Sequence, residues 1–388
     1  MTSSRRVVVT GLGAISAAGQ GVDAFWRACV EGEAKLRPIE RFDVSDLGSP
    51  QGGEVPLAQP GEDAVARFVE IATREALHQA GLEKQIDPAA TGVVLGTCLG
   101  ETDGIFRGLR ERGATPPALP AGYSGLAQRL AGTLGLRGPV TTVSSACISG
   151  TAAVALAADS IRRGEADAML AGGAEQLSRF IVSGFWLLRA LAAGPVRPFD
   201  RRRDGLCLGE GAGVLVLEER ERARRRGGAI LAEVLGSGSA SDAHHMTGPS
   251  PTGDGLVRAI EATLRQAQCP PQDVDFVNAH GTGTQYNDRM ETIAIKQVLG
   301  AHAYEIPVVS VKPVVGHTLG AAGALEAILS VKVLQERIVP STVGYAEPDP
   351  ECDLDYVPHR ARERAVRRAL SCSSAFGGAN GVLLLGAP

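Results

Sequence analysis

The chain has 388 residues, 44% of them hydrophobic and 4% aromatic, with a formal net charge of −4. That length and apolar content suit one large α/β unit or two smaller ones packed through Ala, Val and Leu. The charge argues against a global basic field for nucleic acid, and the 49 Gly and 22 Pro are spread along the chain rather than gathered in a low-complexity tract.

A β-branched run over 7–10 predicts a first strand that ends in a turn at Gly11 and Gly13. Ser4-Arg5-Arg6 before it imitates an export signal, but Thr10 and the glycines interrupt the apolar run. No stretch is long enough to span a membrane. Helical periodicity over 63–80 stops at Gly81, followed by a buried strand over 92–96 and a helix over 122–135. A short strand over 140–143 leads at once into a helix of small residues from about 147 to 163. Strands follow over 168–173, 213–218 and 229–237. The alternation then resumes. A helix over 255–268 precedes a strand over 274–278, and a helix over 288–299 is capped by Asn287 or Asp288. A strand over 307–311, an Ala/Gly-rich helix over 319–335 and strands over 365–371 and 381–385 complete the chain.

Two segments echo each other. Strand 140–143 feeds Ser149-Gly150-Thr151-Ala152-Ala153, and strand 307–311 feeds, after a loop, Leu319-Gly320-Ala321-Ala322-Gly323-Ala324. Helices that begin with small residues can approach closely. The echo therefore predicts two related halves, 1–235 and 236–388, packed face to face on a shared core.

Seven cysteines without a C-x-x-C pair argue against a disulfide framework or a zinc site and fit a reducing, cytoplasmic setting. Most free cysteines are small buried hydrophobes, and alone Cys147 would be read that way. Its place at a strand-to-helix junction, however, puts it near free N–H groups and a helix dipole, which favour a thiolate. His280, in Asn278-Ala279-His280-Gly281-Thr282-Gly283-Thr284, and His317, in Val315-Gly316-His317-Thr318-Leu319-Gly320, each sit beside Gly after a strand. One such His is usually structural; two in matched settings, with a Cys in a third, point to a joint site. Gly11-Leu12-Gly13 lacks the later glycine and acidic residue of a dinucleotide fingerprint. His244-His245 lacks a third metal ligand at useful spacing, so no metal is expected.

Together these motifs resemble the β-ketoacyl synthase branch of the thiolase superfamily. The resemblance also rests on Val7-Val8-Val9-Thr10-Gly11-Leu12-Gly13, on Arg203-Asp204-Gly205-Leu206-Cys207-Leu208-Gly209-Glu210-Gly211 and on Phe376-Gly377-Gly378-Ala379-Asn380-Gly381. It implies an α/β thiolase-like fold, a five-layered αβαβα sandwich. It also implies a Cys147-His280-His317 site of the elongating, malonyl-decarboxylating kind, in type II polyketide, polyene or fatty acid synthesis. By the same resemblance, backbone N–H groups of Cys147 and Phe376 form an oxyanion hole and Phe376 gates the site. Lys312 tunes it or holds Glu326, and Thr282 and Thr284 contact a pantetheine arm. Glu291 and Asp288 are structural. No resident cofactor is implied, because the substrates ride on the phosphopantetheine of an acyl carrier protein, with Arg201, Arg202 and Arg203 as its candidate contact. The partner subunit would be an identical chain or a chain-length factor. Ser374 and Ala375 depart from the family's usual Phe and Gly before the gate. The run Gln285-Tyr286-Asn287-Asp288 looks more like type II polyketide ketosynthases than housekeeping enzymes. Two rival readings remain. A chain-length-factor-like subunit would usually lack the nucleophile, and a thiolase would carry a second active cysteine.

Overall fold

In the computed structural model, which describes residues 5–48, 50–58, 64–100 and 125–388, Gly11 and Gly13 do not end the first strand. They lie inside it, in Val7–Ser16 (β1). A Cβ on Gly11 would fall 2.1 Å from the Ala76 carbonyl oxygen and one on Gly13 1.8 Å from that of Ala72. The glycines let the helix Val65–Ala80 (α1) lie directly on the strand. The expected helix starts at 63 and 122 lie outside the described residues.

The chain continues through Thr91–Gly96 (β2), Gly125–Leu134 (α2), Val140–Val143 (β3), Ser149–Arg162 (α3), Ala168–Glu175 (β4) and Gly211–Glu219 (β5). It then runs through Ala232–Ser241 (β6), Asp254–Ala267 (α4), Phe276–Asn278 (β7), Gln285–Leu299 (α5), Val308–Val309 (β8), Ala322–Glu336 (α6), Arg368–Ser374 (β9) and Ala379–Gly386 (β10). The strand order β1-β5-β4-β2-β3 in the first part recurs as β6-β10-β9-β7-β8 in the second. In both, the successive pairings are antiparallel, antiparallel, parallel and parallel. The two sets join where Val8 pairs with Glu233 and Val9 with Ala232. The expected division between residues 235 and 236 falls inside β6.

Helices α1 and α2 cover the outer face of the first set, α4 and α5 that of the second, and α3 and α6 fill the space between. This is the five-layered αβαβα arrangement. From Ala322 to Leu334 every residue of α6 except Lys332 is buried, as a helix packed on all sides requires. The contact between α3 and α6 depends on small residues. A Cβ on Gly150 would lie 2.8 Å from Ala324 N, and one on Gly323 2.0 Å from Thr151 Oγ1.

Periodicity left out the helices Val22–Glu31, Arg179–Leu187 and Arg220–Arg225. It also misplaced one cap. Helix α5 begins at Gln285, so Asn287 and Asp288 lie within its first turn and Thr284 precedes it without a side-chain cap bond. The final Ala/Gly-rich helix opens as a 3-10 turn, Leu319–Ala321, before α6 proper.

Candidate active site

Strand β3 ends at Val143, beside Gly96 at the end of parallel β2. Before α3 begins at Ser149 the chain turns sharply, with Ala146 at φ 47°. A non-glycine residue there costs about 1–3 kcal/mol and persists only where its surroundings hold it. The Ser149 hydroxyl does so, accepting from Ser145 N at 2.8 Å and donating to Ala146 O at 2.6 Å. Cys147 therefore sits on a strained turn two residues short of the helix rather than opening it, and it lines a cavity of about 540 Å³.

The two histidines reach the same cavity from the second set of strands. His280 follows β7 on a loop held by carboxylates of α5. Glu291 accepts from His280 N and Gly281 N at 2.6 Å each, and Asp288 accepts from Thr282 N at 3.1 Å and Phe199 N at 2.7 Å. Thus the two acidic residues that were expected to be structural fix the histidine loop. His317 is anchored by its own backbone: its N–H donates to Cys207 O at 2.7 Å, and its carbonyl accepts from Gly209 N at 3.0 Å. Leu319 N–H donates to His317 Nδ1 at 3.3 Å, which assigns the ring proton to Nε2. The rings of His280 and His317 stand edge to face, 5.0 Å between centroids and 85° between planes. His280 Nδ1 is buried without a hydrogen-bond partner.

Lys312 lies under this pair. It is 3% exposed, donates to His280 O at 2.5 Å and forms an ion pair with the equally buried Glu326. Ser373 Oγ also donates to Glu326, at 3.3 Å. Burial first, and then the Lys312 charge, push both imidazoles well below their ordinary 6.5. They are neutral at physiological pH and can donate N–H groups without carrying charge. The thiol departs from expectation. Burial pushes Cys147 up to about 12, against the opposing charge of Lys312 and a hydrogen bond from the Phe376 backbone. Desolvation outweighs the helix-start effect that favoured a thiolate, so at this buried position Cys147 is a thiol.

Thr282, Thr284 and Phe376 line the cavity as well. The two threonine hydroxyls are 2.9 Å apart, and the Phe376 ring stacks on Phe185 at 5.5 Å. Ser374 Oγ donates to Asn380 Oδ1 at 2.8 Å, and Ala375 packs on the apolar cluster that contains Cys147. His245 is a loop former whose Nδ1 accepts from Thr247 N and Gly248 N at 3.1 and 3.2 Å. Among the described residues no group of three or more His, Cys, Asp or Glu is placed to hold a metal ion, and no helix is long and apolar enough to cross a membrane.

One expectation needs correction. Arg203 is 4% exposed, ion-paired with Asp349 and donating to Asp200 O at 3.0 Å. Its guanidinium ties loops together and cannot meet a docking protein. Arg201 and Arg202 are both exposed, and Arg202 pairs with Asp200 and Glu347. One residue of the site escaped the motifs. Glu175, buried at the end of β4, accepts from Cys98 N at 2.6 Å, Leu99 N at 3.2 Å and Gly320 N at 3.3 Å. It clamps the loop after β2 to the turn after His317, and burial pushes its carboxyl up to about 7. The available signal was an acidic residue closing a strand of small apolar ones.

The family models described as "Beta-ketoacyl synthase, N-terminal domain" and "Beta-ketoacyl synthase, C-terminal domain" match residues 4–223 and 231–346. The tetracenomycin polyketide synthase ketoacyl synthase alpha subunit of Streptomyces glaucescens is 39% identical over 417 residues, covering 100% of this chain and 98% of that protein. Among solved structures, the ishigamide ketosynthase/chain length factor superposes with a TM-score of 0.93 at 38% identity, covering 100% of both chains. The AntDE:AntF assembly, a type II acyl carrier protein in complex with its ketosynthase bound to the hexaketide, gives a TM-score of 0.91 at 33% identity, again covering 100% of both chains.

Proposed function

Because the chain belongs to the β-ketoacyl synthase family and is an acyltransferase of that family, we propose that Cys147 carries an acyl group while His280 and His317 promote decarboxylation of a malonyl thioester beside it. One observation carries this reading: a thiol and two neutral imidazoles from different halves of the fold line one cavity.

The steps follow from the groups present. In the first transfer the incoming thioester's C–S bond breaks, the acyl carbon bonds to Cys147 Sγ, and the thiol proton leaves with the carrier's sulfur. Cys147 is a thiol at its buried position, so a neutral imidazole must relay that proton as the bond forms. The malonyl thioester binds next. Its carboxylate leaves as CO2, and the electron pair develops into an enolate whose oxygen accepts from N–H groups of His280 and His317. Neutral donors stabilise the oxygen without protonating the carbon. The carbon then attacks the acyl carbonyl, and the oxyanion accepts from the main-chain N–H groups of Cys147 and Phe376. As it collapses, the C–S bond to Cys147 breaks and the leaving sulfur takes a proton from water, relayed through a neighbouring imidazole. Lys312 and Glu326 hold the pair of rings, and Thr282 and Thr284 receive the pantetheine.

In this reading the thioesters arrive on an acyl carrier protein, as in the AntDE:AntF complex, and the chain pairs with a chain-length-factor or a like subunit, as in the ishigamide assembly. The recurring strand order supports two halves that divide just before β6 and meet at the site. The cysteines of the chain are free, which fits a reducing cytoplasm. The deciding test is to incubate the protein with an acyl carrier thioester and weigh the peptide containing Cys147. An acyl adduct on Cys147, discharged by malonyl carrier, is expected; a protein that never acquires one refutes the proposal.

A further inference from the structure

We infer that Arg41, remote in sequence from every motif of the site, is a positioning residue: paired with Glu210, it fixes the strand on which His317 is mounted. This rests on the reading of His317 as an N–H donor to the enolate. The two imidazoles stand on separate supports. The His280 loop is held by Glu291 and Asp288, carboxylates of its own half. His317 is held instead by main chain of the first half. Its N–H donates to Cys207 O, its carbonyl accepts from Gly209 N, and it forms a β-bridge with Leu208 between them. The His317 backbone therefore follows any displacement of that strand.

Leu208–Gly209 is the outer strand of a three-stranded sheet completed by Gln51–Gly53 and Arg37–Pro38. Strands this short supply little pairing of their own. Glu210 supplies the rest. Its side chain is fully buried and each oxygen accepts twice: Oε1 from Val55 N at 2.7 Å and from Arg41 Nη2, Oε2 from Leu177 N at 2.9 Å and from Arg41 Nη1 at 2.8 Å. Val55 lies just past Gln51–Gly53 and Leu177 just past β4, so one carboxylate ties three strand ends together. Burial pushes that carboxyl up, and Arg41 opposes the shift while its planar fork sets the orientation. The Arg41 side chain is only 6% exposed, which leaves it no surface to offer a substrate. The sheet also has no slack towards the histidine. A Cβ on Gly209 would fall 2.2 Å from Val315 O, and one on Gly53 2.1 Å from the same oxygen. A shift at Arg41–Glu210 is thus passed on to the turn before His317.

The test is CO2 release from malonyl-N-acetylcysteamine, labelled in its carboxylate, by Cys147→Gln protein. Adding Arg41→Gln should lower kcat about tenfold, since displacing a catalytic group by about 1 Å costs up to about 10²-fold, while KM stays within about twofold of the parent. Added instead to Cys147→Gln/His317→Ala protein, Arg41→Gln should change kcat less than about twofold, because the residue it acts through is gone. Arg41→Lys keeps the charge and loses the fork, so it should fall between, about threefold below the parent. It carries the same comparison if Arg41→Gln does not fold. An unchanged kcat with His317 present overturns the inference. So does an equal loss with and without His317, which gives Arg41 a general structural role. Cys147→Gln protein that releases no CO2 strikes the proposed function itself, a separate outcome.

Discussion

The turn from β3 into α3 and the turn from β8 into α6 hold matching places in two sets of strands ordered alike, yet they are equipped oppositely. The first presents a sulfur on a strained backbone, buried until its thiol is hard to ionise. The second presents His317, faces His280 from the neighbouring loop, and rests on a buried lysine–glutamate pair. The repeated architecture brings the two helices together at Gly150 and Gly323, so two unlike chemistries converge without either half carrying both. Topology places the groups, and local burial decides what each can do.

The largest test of that division removes one side at a time. Cys147→Ala should lower condensation by about 10³-fold or more, whereas Cys147→Gln should keep or raise malonyl decarboxylation, followed as CO2 release. His317→Ala or His280→Ala should do the reverse: decarboxylation falls about 10²-fold or more, while mass spectrometry still finds acyl-Cys147. If either histidine variant decarboxylated normally, the assignment of the second half would fail.

The next effect is on stability. Lys312→Met leaves Glu326 as a buried charge without its partner and should cost about 3–5 kcal/mol, read as a fall in the chemical-denaturation midpoint. Lys312→Met with Glu326→Gln should recover much of that loss. Gly150→Ala should cost about 1–3 kcal/mol by overpacking the contact between α3 and α6.

The smallest expected effect is on pH dependence. Both histidines titrate below their ordinary 6.5, so lowering the pH from 7.5 to 6.5 leaves them neutral. Decarboxylation by Cys147→Gln should therefore change less than about twofold across that interval, and fall only when more acidic solution protonates the rings. The thiol behaves oppositely: with Cys147 up at about 12, its alkylation by iodoacetamide should keep accelerating from pH 7 to pH 9, with no plateau at neutrality.

The convergence of Cys147, His280 and His317 was legible because each occupies a short motif of small residues at an element end. What those motifs lack is the environment. Glu175 acts on Cys98, 77 residues away, through a main-chain N–H that any residue would supply, so no residue type in the sequence marks the contact. Arg203 belongs to a basic triplet that looks solvated, and its partner Asp349 lies 146 residues on. Gly11 and Gly13 read as a turn because a glycine that ends a strand and one that admits a packed helix look alike in one dimension. The acidity of Cys147 was misjudged for a related reason: the helix start is visible in sequence, and the desolvating walls are not.

The stack of Phe376 on Phe185 has a quantitative consequence for the position of the Phe376 ring. Such a pair contributes about 0.5–1.5 kcal/mol beyond its buried area. By itself that contact maintains between about a twofold and a twelvefold excess of stacked over unstacked ring positions. The stacked position is thus favoured, yet ordinary thermal agitation is enough to break it.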